Sequence, residues 1–209
     1  MYIPPPMKMD NQQQAFDLIE QFSFGVIVSN IEGLEASHLP FMLDRGHGDK
    51  GRLLCHFAKA NPQWKDLAER EVLVVFSGPH SYISPSWYAH YPAVPTWNYS
   101  AVHVKGMVKI SSKEDTAQLV RNMSAKYEPD LLDKHDIMSP EVIDKLSGAI
   151  IGLSIEISEI QGKFKLGQHR KIDDQQGVFK ALSESDHNDA QQLARYMAAL
   201  GIGTGETQR

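Results

Sequence analysis

The stretch "AVHVKGMVKI", residues 101–110, carries the alternation of side chains that decides the fold class. Its even-numbered positions are apolar or glycine, and its odd-numbered positions, which include His103, Lys105 and Lys109, are mostly polar. The stretch "IIGLSIEISEI", residues 150–160, repeats this pattern. Because successive side chains of a strand point to opposite faces, both segments predict half-buried strands of an antiparallel sheet or barrel wall.

The remaining strands are predicted from shorter apolar segments. Residues 24–43 indicate two strands joined by a hairpin turn at Glu32-Gly33, and residues 52–58 indicate a third. Residues 72–78, "VLVVFSG", form a nearly continuous apolar run that is typical of a strand covered on both faces. Since helices interrupt the strands without regular βαβ alternation, the sequence predicts an α+β domain with six or seven strands around a β-barrel.

Helices are predicted where apolar residues recur at helical spacing after a residue that can cap the first turn. The expected caps have side-chain oxygens, which accept hydrogen bonds from the free amides of that turn. These helices are expected over residues 10–22 with Asp10 or Asn11 as the cap, over 113–127 with a Ser111–Glu114 capping box, from Ser139, and from Asp186.

Length and composition limit the classes of protein to which the chain can belong. At 209 residues it is one domain by length, and its single cysteine, Cys55, excludes an internal disulfide and a thiolate metal cluster. The net charge of −5, without any basic run longer than a pair, argues against DNA binding through a basic face. With no targeting segment and no apolar run near the ~20 residues that span a bilayer, we expect a cytoplasmic protein.

Three familiar site patterns are not supported by their context. The segment "GIGTG", residues 201–205, follows a helix and not a strand, so it predicts a helix C-cap and a loose tail, not a dinucleotide-binding loop. The nine histidines form no HExxH motif or i, i+4 pair, and we expect no bound metal. Cys55 lies in mid-strand, where buried thiols are inert, so covalent catalysis is not expected.

The segment "ASHLPF", residues 36–41, is a candidate ligand strand. Pro40 has no amide hydrogen to donate, so this strand lies at a sheet edge or turns its amide side to a ligand. Ser37 and His38 add two hydrogen-bonding side chains. The alternative is simply a polar edge strand.

Two further segments bring cations to positions suited to a phosphate group. In "CHFAKANPQW", residues 55–64, a strand runs into a helix start, which brings Lys59, Asn61 and Gln63 toward free amides at the positive end of the helix dipole. The segment "GKFKLGQHR", residues 162–170, adds a second polar and cationic cluster. The alternatives are an ordinary strand–helix junction and a solvated basic stretch.

Rigid aromatic surface is concentrated in "SYISPSWYAHYPAVPTWNY", residues 81–99. Prolines fix the backbone there, and large rings lose little entropy when they are ordered. Such a segment suits a platform for a flavin, a substrate ring or a partner subunit. The alternative is that Trp87 and Trp97 seal one end of the barrel as part of the core.

Long and compositionally unusual motifs of this chain resemble those of one known family. They are "MYIP", "ASHLPF", "HFAKANPQW", "GPHSYISPSWY", "VPTWNYSAVHVKG" and "GKFKLGQHR", in chain order. Together they resemble the FMN-binding negative transcriptional regulators of the PaiB type, from Met1 to about residue 182. The resemblance implies an FMN-binding split-barrel domain over residues 1–182, followed by a C-terminal helix and loose tail over residues 183–209.

The same resemblance implies a cofactor, an assembly and a set of contacts. It implies an antiparallel, Greek-key-like split β-barrel with peripheral helices, similar to pyridoxamine-phosphate oxidases and flavin reductases, in a homodimer with FMN at the subunit interface. Ser37, His38 and Leu39 would line the edge of the isoalloxazine ring. The ribityl and phosphate end would meet His56, Lys59, Asn61 and Gln63, and the site would be closed, or approached from the partner subunit, by Trp97, Asn98, Lys163, Lys165 and Gln168.

Several functions are compatible with this family. We expect a flavin-dependent oxidoreductase, such as a flavin reductase, or a flavin-linked transcriptional regulator. The alternatives are a haem-binding or haem-degrading split-barrel protein with a histidine as axial ligand, and a DNA-binding repressor without redox activity. No residue is assigned as a general acid or base, for which His38, His56 and Tyr99 are only candidates.

Overall fold

The computed structural model describes residues 1–134, 136–137 and 139–206. The strands of this part are β1 (Phe24–Asn30), β2 (Leu34–Pro40), β3 (Met42–Asp44), β4 (Arg52–Ala58), β5 (Glu71–Ile83), β6 (Thr96–Ile110) and β7 (Ile150–Lys165). They form one seven-stranded sheet in the order β2-β1-β5-β6-β7-β4-β3. The β1–β2, β1–β5, β3–β4 and β4–β7 pairs are antiparallel, as the alternating segments predict.

Five α-helices accompany the sheet within the described residues, and they confirm the α+β class. They are α1 (Gln12–Gln21), α2 (Lys113–Tyr127), α3 (Pro140–Ser147), α4 (Ile172–Ser183) and α5 (Asn188–Leu200). Short 3-10 helices occupy Pro5–Met7, Pro62–Asp66, Pro85–Trp87 and Pro129–Asp133. We find no helix in the described ranges with the length and apolar character that crossing a membrane requires.

The β1–β2 hairpin confirms the turn that the sequence predicts at Glu32-Gly33. Asn30 pairs with Leu34, and the register continues to Pro40 at the other end of the hairpin. Gly33 has a φ of 140°, a backbone conformation that residues with a side chain rarely adopt. Because β2 is the first strand in the sheet order, the prediction that Pro40 belongs to an edge strand is confirmed.

The β4–β7 pair separates an apolar face from a polar one. Leu53, Cys55 and Phe57 of β4 are fully buried, and so are Leu153 and Ile155, their neighbours on β7. Burial raises the pKa of the Cys55 thiol, which keeps the thiol protonated and unreactive. The alternate positions of both strands form the polar face.

Three strands are longer than the sequence predicts. Strand β5 continues past Gly78-Pro79 to Ile83, β6 begins already at Thr96, and β7 continues to Lys165. Glycine and proline are turn signals, and for that reason the predicted end of β5 falls at residue 78. The continuous strand shows that sheet context overrides this local signal.

The N-terminus of α2 lies one residue further along the chain than the predicted capping box. Ser112, not Ser111, is the N-cap: its hydroxyl oxygen accepts from the amide of Asp115 at 3.0 Å and its hydroxyl donates to the Asp115 carboxylate at 2.9 Å. Two adjacent serines offer two possible caps. Both hydrogen bonds of the Ser112 hydroxyl are to Asp115, and not to the predicted partner Glu114.

Helix α4 has no counterpart in the sequence prediction. It contains Gly177, where an added Cβ would lie 2.2 Å from the carbonyl oxygen of Trp87. Only glycine permits this close approach, although glycine in a helix interior costs roughly 1 kcal/mol in propensity. The last helix, α5, begins at Asn188 with His187 as N-cap, two residues later than the predicted start at Asp186.

The segment after α5 is packed, and the prediction of a loose tail is wrong for its described part. Gly201 ends the helix with a φ of 63°, which confirms the predicted C-cap. Gly203, Thr204 and Gly205 are then buried, and the Gly205 carbonyl accepts from the Gln176 side chain at 3.1 Å. Residues 207–209 of the predicted tail lie outside the described residues.

The chain divides into two compact units, each assembled from separated segments. The first unit comprises residues 1–15, 77–102 and 161–209, and the second comprises residues 16–76 and 103–160. The predicted site residues fall into both units. Each group is therefore described within its own unit.

Candidate functional site

In the second unit, three predicted site residues form one hydrogen-bond network around the buried side chain of Gln63, which is only 6% exposed. The Ser37 hydroxyl donates to Gln63 Oε1 at 2.6 Å and accepts from Asn61 Nδ2 at 3.0 Å. Gln63 Nε2 donates to the Ser29 hydroxyl at 3.0 Å and to the Glu35 carbonyl at 3.3 Å. This network fixes the residues after β4 against the β1–β2 hairpin.

A short helix starts after β4 with Asn61 as N-cap and Pro62 at its first position, as the sequence predicts, but it is a 3-10 helix whose first amides are not all free. Residues Pro62–Asp66 form a five-residue 3-10 helix, and the Asn61 side chain already accepts the hydrogen bond of the Gln63 amide. The residues that line a cleft of about 380 Å³ beside Gln63 include three acidic ones, Glu32, Glu35 and Asp66. Negative charge in this cleft opposes the binding of a phosphate.

The other predicted residues of the second unit have separate environments. Lys59 is exposed, and its ammonium donates to the Gly148 carbonyl at 2.7 Å. His38 is exposed on the edge strand with its ring 6.1 Å from that of Phe24, and Leu39 is half-buried. Within the described residues the buried Nδ1 of His56 has no hydrogen-bond partner, and burial lowers the pKa of this histidine.

In the first unit, positive charges are concentrated at the end of β7 and in the segment after it. Lys163 is buried at 6% exposure, where its ammonium donates to the Tyr2 carbonyl at 3.2 Å and lies 5.1 Å from the centre of the Tyr99 ring. Lys165 is half-buried and donates to the Thr96 hydroxyl and, at 2.7 Å, to the Trp97 carbonyl.

These positive charges act on one another. Burial, and then the charges of Lys163 and Arg170, lower the pKa of Lys165 against an opposite effect of Tyr99. Burial, and then the charges of Arg170 and Lys165, lower the pKa of His169. Among the described residues, no carboxylate lies within ion-pair distance of Lys163, Lys165 or Arg170. We call Lys163, Lys165 and Arg170 the cationic cluster; the lowered pKa of the neighbouring His169 favours its neutral form.

An exposed aromatic surface lies in the same unit. Trp97 is 54% exposed, and its ring centre is 6.1 Å from that of His80 and 6.3 Å from that of Tyr82. His80 and Tyr82 are exposed on β5. Trp97 is therefore part of an aromatic surface and does not seal the core. We call His80, Tyr82 and Trp97 the aromatic surface.

The two remaining predicted residues of this unit are Asn98 and Gln168. Asn98 is buried, and a Cβ at Gly167 would lie 3.6 Å from its amide nitrogen. Gln168 Nε2 donates to the carbonyls of Phe164 and Pro6, and its Oε1 accepts from the Leu166 amide. Gln168 therefore organises the turn after β7 through both ends of its amide group.

The sequence predicts an aromatic platform over residues 81–99, which includes Tyr82, but it gives no site role to His80. His80 and Tyr82 alternate along β5, so period-two spacing within "GPHSYI" places them on one face of a strand. That signal was hidden because the strand was predicted to end at residue 78. The role of the buried Asp174 was also missed, because the helix that carries it was not predicted.

Asp174 fixes the proline-rich segment of the first unit. Its carboxylate Oδ1 accepts from the amides of Ala89 and His90, each at 2.9 Å, and lies 3.1 Å from His90 Nδ1. Burial alone would raise the pKa of Asp174, but the hydrogen bonds and charge of His90, with the Ala89 amide, lower it overall. The ionised carboxylate is therefore the form that the folded protein favours.

Replacement Asp174→Asn is expected to lower the free energy of unfolding at pH 7 by about 2 kcal/mol, since hydrogen bonds to a charged acceptor are lost. Because the folded-state pKa is lowered, this stabilisation is present above the ordinary carboxyl pKa of about 4 and is lost as the pH falls below it. Urea unfolding of both proteins at pH values from 7 to 3 (about one unit apart) measures the difference.

The exposed neighbour Asp173 provides the control, because Asp173→Asn should change the free energy of unfolding by less than about 0.5 kcal/mol. A difference between wild type and Asp174→Asn that grows as the pH falls would contradict the assignment.

Comparison with known proteins places this chain in a family. Residues 1–159 match the family model described as "Putative FMN-binding domain". The chain belongs to this FMN-binding family, which confirms the cofactor that the motifs imply. "Protease synthase and sporulation protein PAI 2" of Bacillus subtilis is 37% identical over 204 residues, covering 94% of this chain and 96% of that protein, and it confirms the PaiB-type resemblance. An uncharacterized protein of Aspergillus fumigatus is 30% identical, covering 80% of this chain and 86% of that protein.

Solved structures with the same fold include two proteins of bacterial origin. The flavocytochrome Anf3 of Azotobacter vinelandii has a TM-score of 0.61 at 16% identity, covering 77% of this chain and 70% of that protein. The FAD and heme binding protein of Mycobacterium smegmatis has a TM-score of 0.60 at 14% identity, covering 77% and 74%. At these identities the likeness shows the fold, and the split-barrel prediction is confirmed.

Proposed function

We propose that this chain is an FMN-dependent redox protein in which the cationic cluster binds the phosphate of FMN and the aromatic surface contacts its ring. The observation that carries the proposal is a group of mutually repelling cations without a carboxylate partner among the described residues, in the same unit as exposed rings. The predicted contacts of Ser37, His38, Leu39, His56, Lys59, Asn61 and Gln63 stay predictions.

The charges of the cluster fit a phosphate group. Half-buried positive charges that repel one another raise the free energy of the protein, and an anion placed among them lowers it. Lys165 and Arg170 can donate charge-assisted hydrogen bonds to phosphate oxygens, and a guanidinium group can do so with two donors at once. Lys163 contributes its charge from a fixed position, because its ammonium is held between the Tyr2 carbonyl and the Tyr99 ring.

The aromatic surface fits a planar ring. Its members lie at the 4.5–7 Å centre-to-centre distances that are typical of interacting aromatic groups, at 6.1 and 6.3 Å. Lys165 also fixes the backbone at Trp97 through the carbonyl hydrogen bond. The residue proposed for the phosphate therefore also orients a residue proposed for the ring.

Bound FMN supplies hydride or electron transfer, and the protein supplies position and electrostatics. The exposure of Trp97 and Tyr82 leaves room for a second molecule at the aromatic surface. No side chain is proposed as a general acid or base. Tyr99, His38 and His56 stay candidates on the basis of sequence alone.

Titration of purified protein with FMN and with riboflavin tests the proposal. We expect FMN to bind with quenched flavin fluorescence and at least about tenfold more tightly than riboflavin, because riboflavin lacks the phosphate that the cluster binds. Equal affinity for the two flavins would overturn the assignment of the phosphate. A protein that binds neither flavin would overturn the proposed function as a whole.

The homodimer with FMN at the subunit interface is a proposal supported by the family resemblance. Light scattering coupled to size-exclusion chromatography, with and without FMN, tests it. A monomer of 23.4 kDa under both conditions would contradict it.

A regulatory role in the cytoplasm is a second candidate, supported by the name of the Bacillus subtilis relative, which refers to protease synthesis and sporulation. A gel-shift assay on genomic fragments over a range of salt concentrations tests direct DNA binding, because binding through phosphates weakens steeply with salt. Addition of haem to the same protein samples tests the haem alternative. A Soret band that appears with the wild type and is lost in His38→Ala or His56→Ala would support it.

A further inference from the structure

A second cavity lies wholly within the second unit, beside helix α2 and the polar face of β4 and β7. Its volume is about 450 Å³, within the range of small-molecule sites. Strands β4 and β7 contribute Arg52, Leu54, Ser154 and Glu156 to its lining. Helix α2, the end of β6 and the segment between them contribute most of the remaining lining. We call this cavity the α2 pocket.

A buried hydroxyl without a partner marks the α2 pocket. Ser154 is 9% exposed and lines the pocket, and its Oγ is buried with no hydrogen-bond partner among the described residues. An unsatisfied buried polar group costs about 1–3 kcal/mol. Ser154 pairs directly with Leu54 on β4, where an apolar residue would pack without this cost.

The charged groups that line the pocket are already paired. The Glu156 carboxylate lies 2.8 Å from His47 Nε2 and 3.9 Å from Lys109 Nζ. Arg52 Nε donates to the Asp44 carboxylate at 3.0 Å. Asp115 is hydrogen-bonded to Ser112, the N-cap of α2. A charged ligand would have to compete with these pairs, so the lining favours an uncharged molecule.

Uncharged donors and acceptors remain available on the α2 side. Gln118 Nε2 donates to Asn122 Oδ1 at 2.8 Å. This bond leaves the Gln118 carbonyl and the second half of the Asn122 amide without a side-chain partner among the described residues. Apolar side chains complete the lining: Leu54, Ile110 and Leu119. A mainly polar lining that includes three apolar side chains suits a small molecule with polar groups around its rim and a limited apolar surface.

We propose that the α2 pocket binds a small uncharged heterocycle with amide-like edges, of the size of a nucleobase or nucleoside, through Ser154, Gln118 and Asn122. The Ser154 hydroxyl donates to or accepts from the polar edge of the ligand. The amide groups of α2 bind the remaining edge, and Leu54 and Leu119 contact its faces. The α2 pocket shares no lining residue with the cationic cluster, and the proposal does not depend on the proposed function.

Saturation-transfer NMR with uridine, adenosine and nicotinamide as three separate probes tests the proposal. At least one probe should bind with a Kd below about 1 mM. Ser154→Ala should weaken that probe about fivefold, the equivalent of one lost hydrogen bond. Ser154→Leu, which fills the pocket, should weaken it more than about tenfold. The double variant Gln118→Ala/Asn122→Ala should also weaken binding of the probe. Both residues are exposed on α2, so this variant tests the same site without a change in the core.

Ser158→Ala, an exposed position on the same strand, is the matched control and should leave probe binding unchanged. FMN affinity should stay within about twofold in Ser154→Leu. Failure of all three probes to bind would overturn the proposal, and so would unchanged binding in both Ser154→Leu and the double variant. Displacement of the probe by FMN would show that the pocket belongs to the flavin site and would also overturn it.

Discussion

The double variant Lys165→Met/Arg170→Gln is expected to bind FMN at least about 100-fold more weakly than the wild type, while its affinity for riboflavin falls less than about tenfold, through the lost hydrogen bond to the Trp97 carbonyl. Hydrogen bonds between a cation and a phosphate contribute about 1.5–3 kcal/mol each, so the loss of two accounts for this range. Methionine keeps the apolar stem of Lys165, and glutamine keeps a planar polar end at Arg170, which packs 4.7 Å from the centre of the Tyr88 ring. Fluorescence titration with the two flavins measures both affinities.

The control for this variant is Lys180→Gln, which removes an exposed charge on α4 without touching the cluster. Its FMN affinity should equal that of the wild type. An unchanged FMN affinity in the double variant would contradict the phosphate assignment. Equal losses for FMN and riboflavin would show that the two residues support the ring contacts and not the phosphate.

Replacement Gln63→Leu is expected to lower the free energy of unfolding by about 3 kcal/mol. Leucine has nearly the same size, so no large cavity forms, but the hydrogen-bond partners of the amide lose their contacts inside the protein. Those partners are the hydroxyls of Ser29 and Ser37 and the Glu35 carbonyl. Urea unfolding at pH 7 measures the change from the transition midpoint and slope.

The matched control is Gln192→Leu on the exposed side of α5, for which we expect a change within about 0.5 kcal/mol. A loss below about 1 kcal/mol in Gln63→Leu would contradict the view that its network stabilises the turn after β4. Since Ser37 and Asn61 belong to the same network, their single variants should not be additive with Gln63→Leu.

The sheet was predictable because apolar and polar side chains alternate along its strands. Alternation over 101–110 and 150–160 indicates one buried face, and the structure has that face at Val102, Val104 and Val108, and at Leu153 and Ile155. Helix α4 was missed for a physical reason. Gly177 lowers helix propensity, but it allows the Trp87 carbonyl to lie close to the helix. This is a tertiary contact, which a local sequence pattern does not indicate.

The candidate site was predictable only in part. The resemblance implies Lys163, Lys165 and Trp97 within the first unit, and the aromatic segment 81–99 includes Tyr82, but His80 lies before that segment on a strand whose predicted end is too early. The network around Gln63 could not be inferred from sequence, because it joins residues of separate strands through side-chain geometry. Likewise, the alternation along β7 places the Ser154 hydroxyl on a polar face, and the sequence does not indicate that this hydroxyl is buried.

The burial of Cys55 has a practical consequence for spectroscopy. A thiol-specific reagent attacks the thiolate, and the only native thiol is fully buried and held protonated. A cysteine introduced at an exposed position such as Gln192 would therefore be the one site that takes up a spin label, without removal of the native residue. Pulsed dipolar spectroscopy on that labelled protein could then measure the spacing between two copies directly.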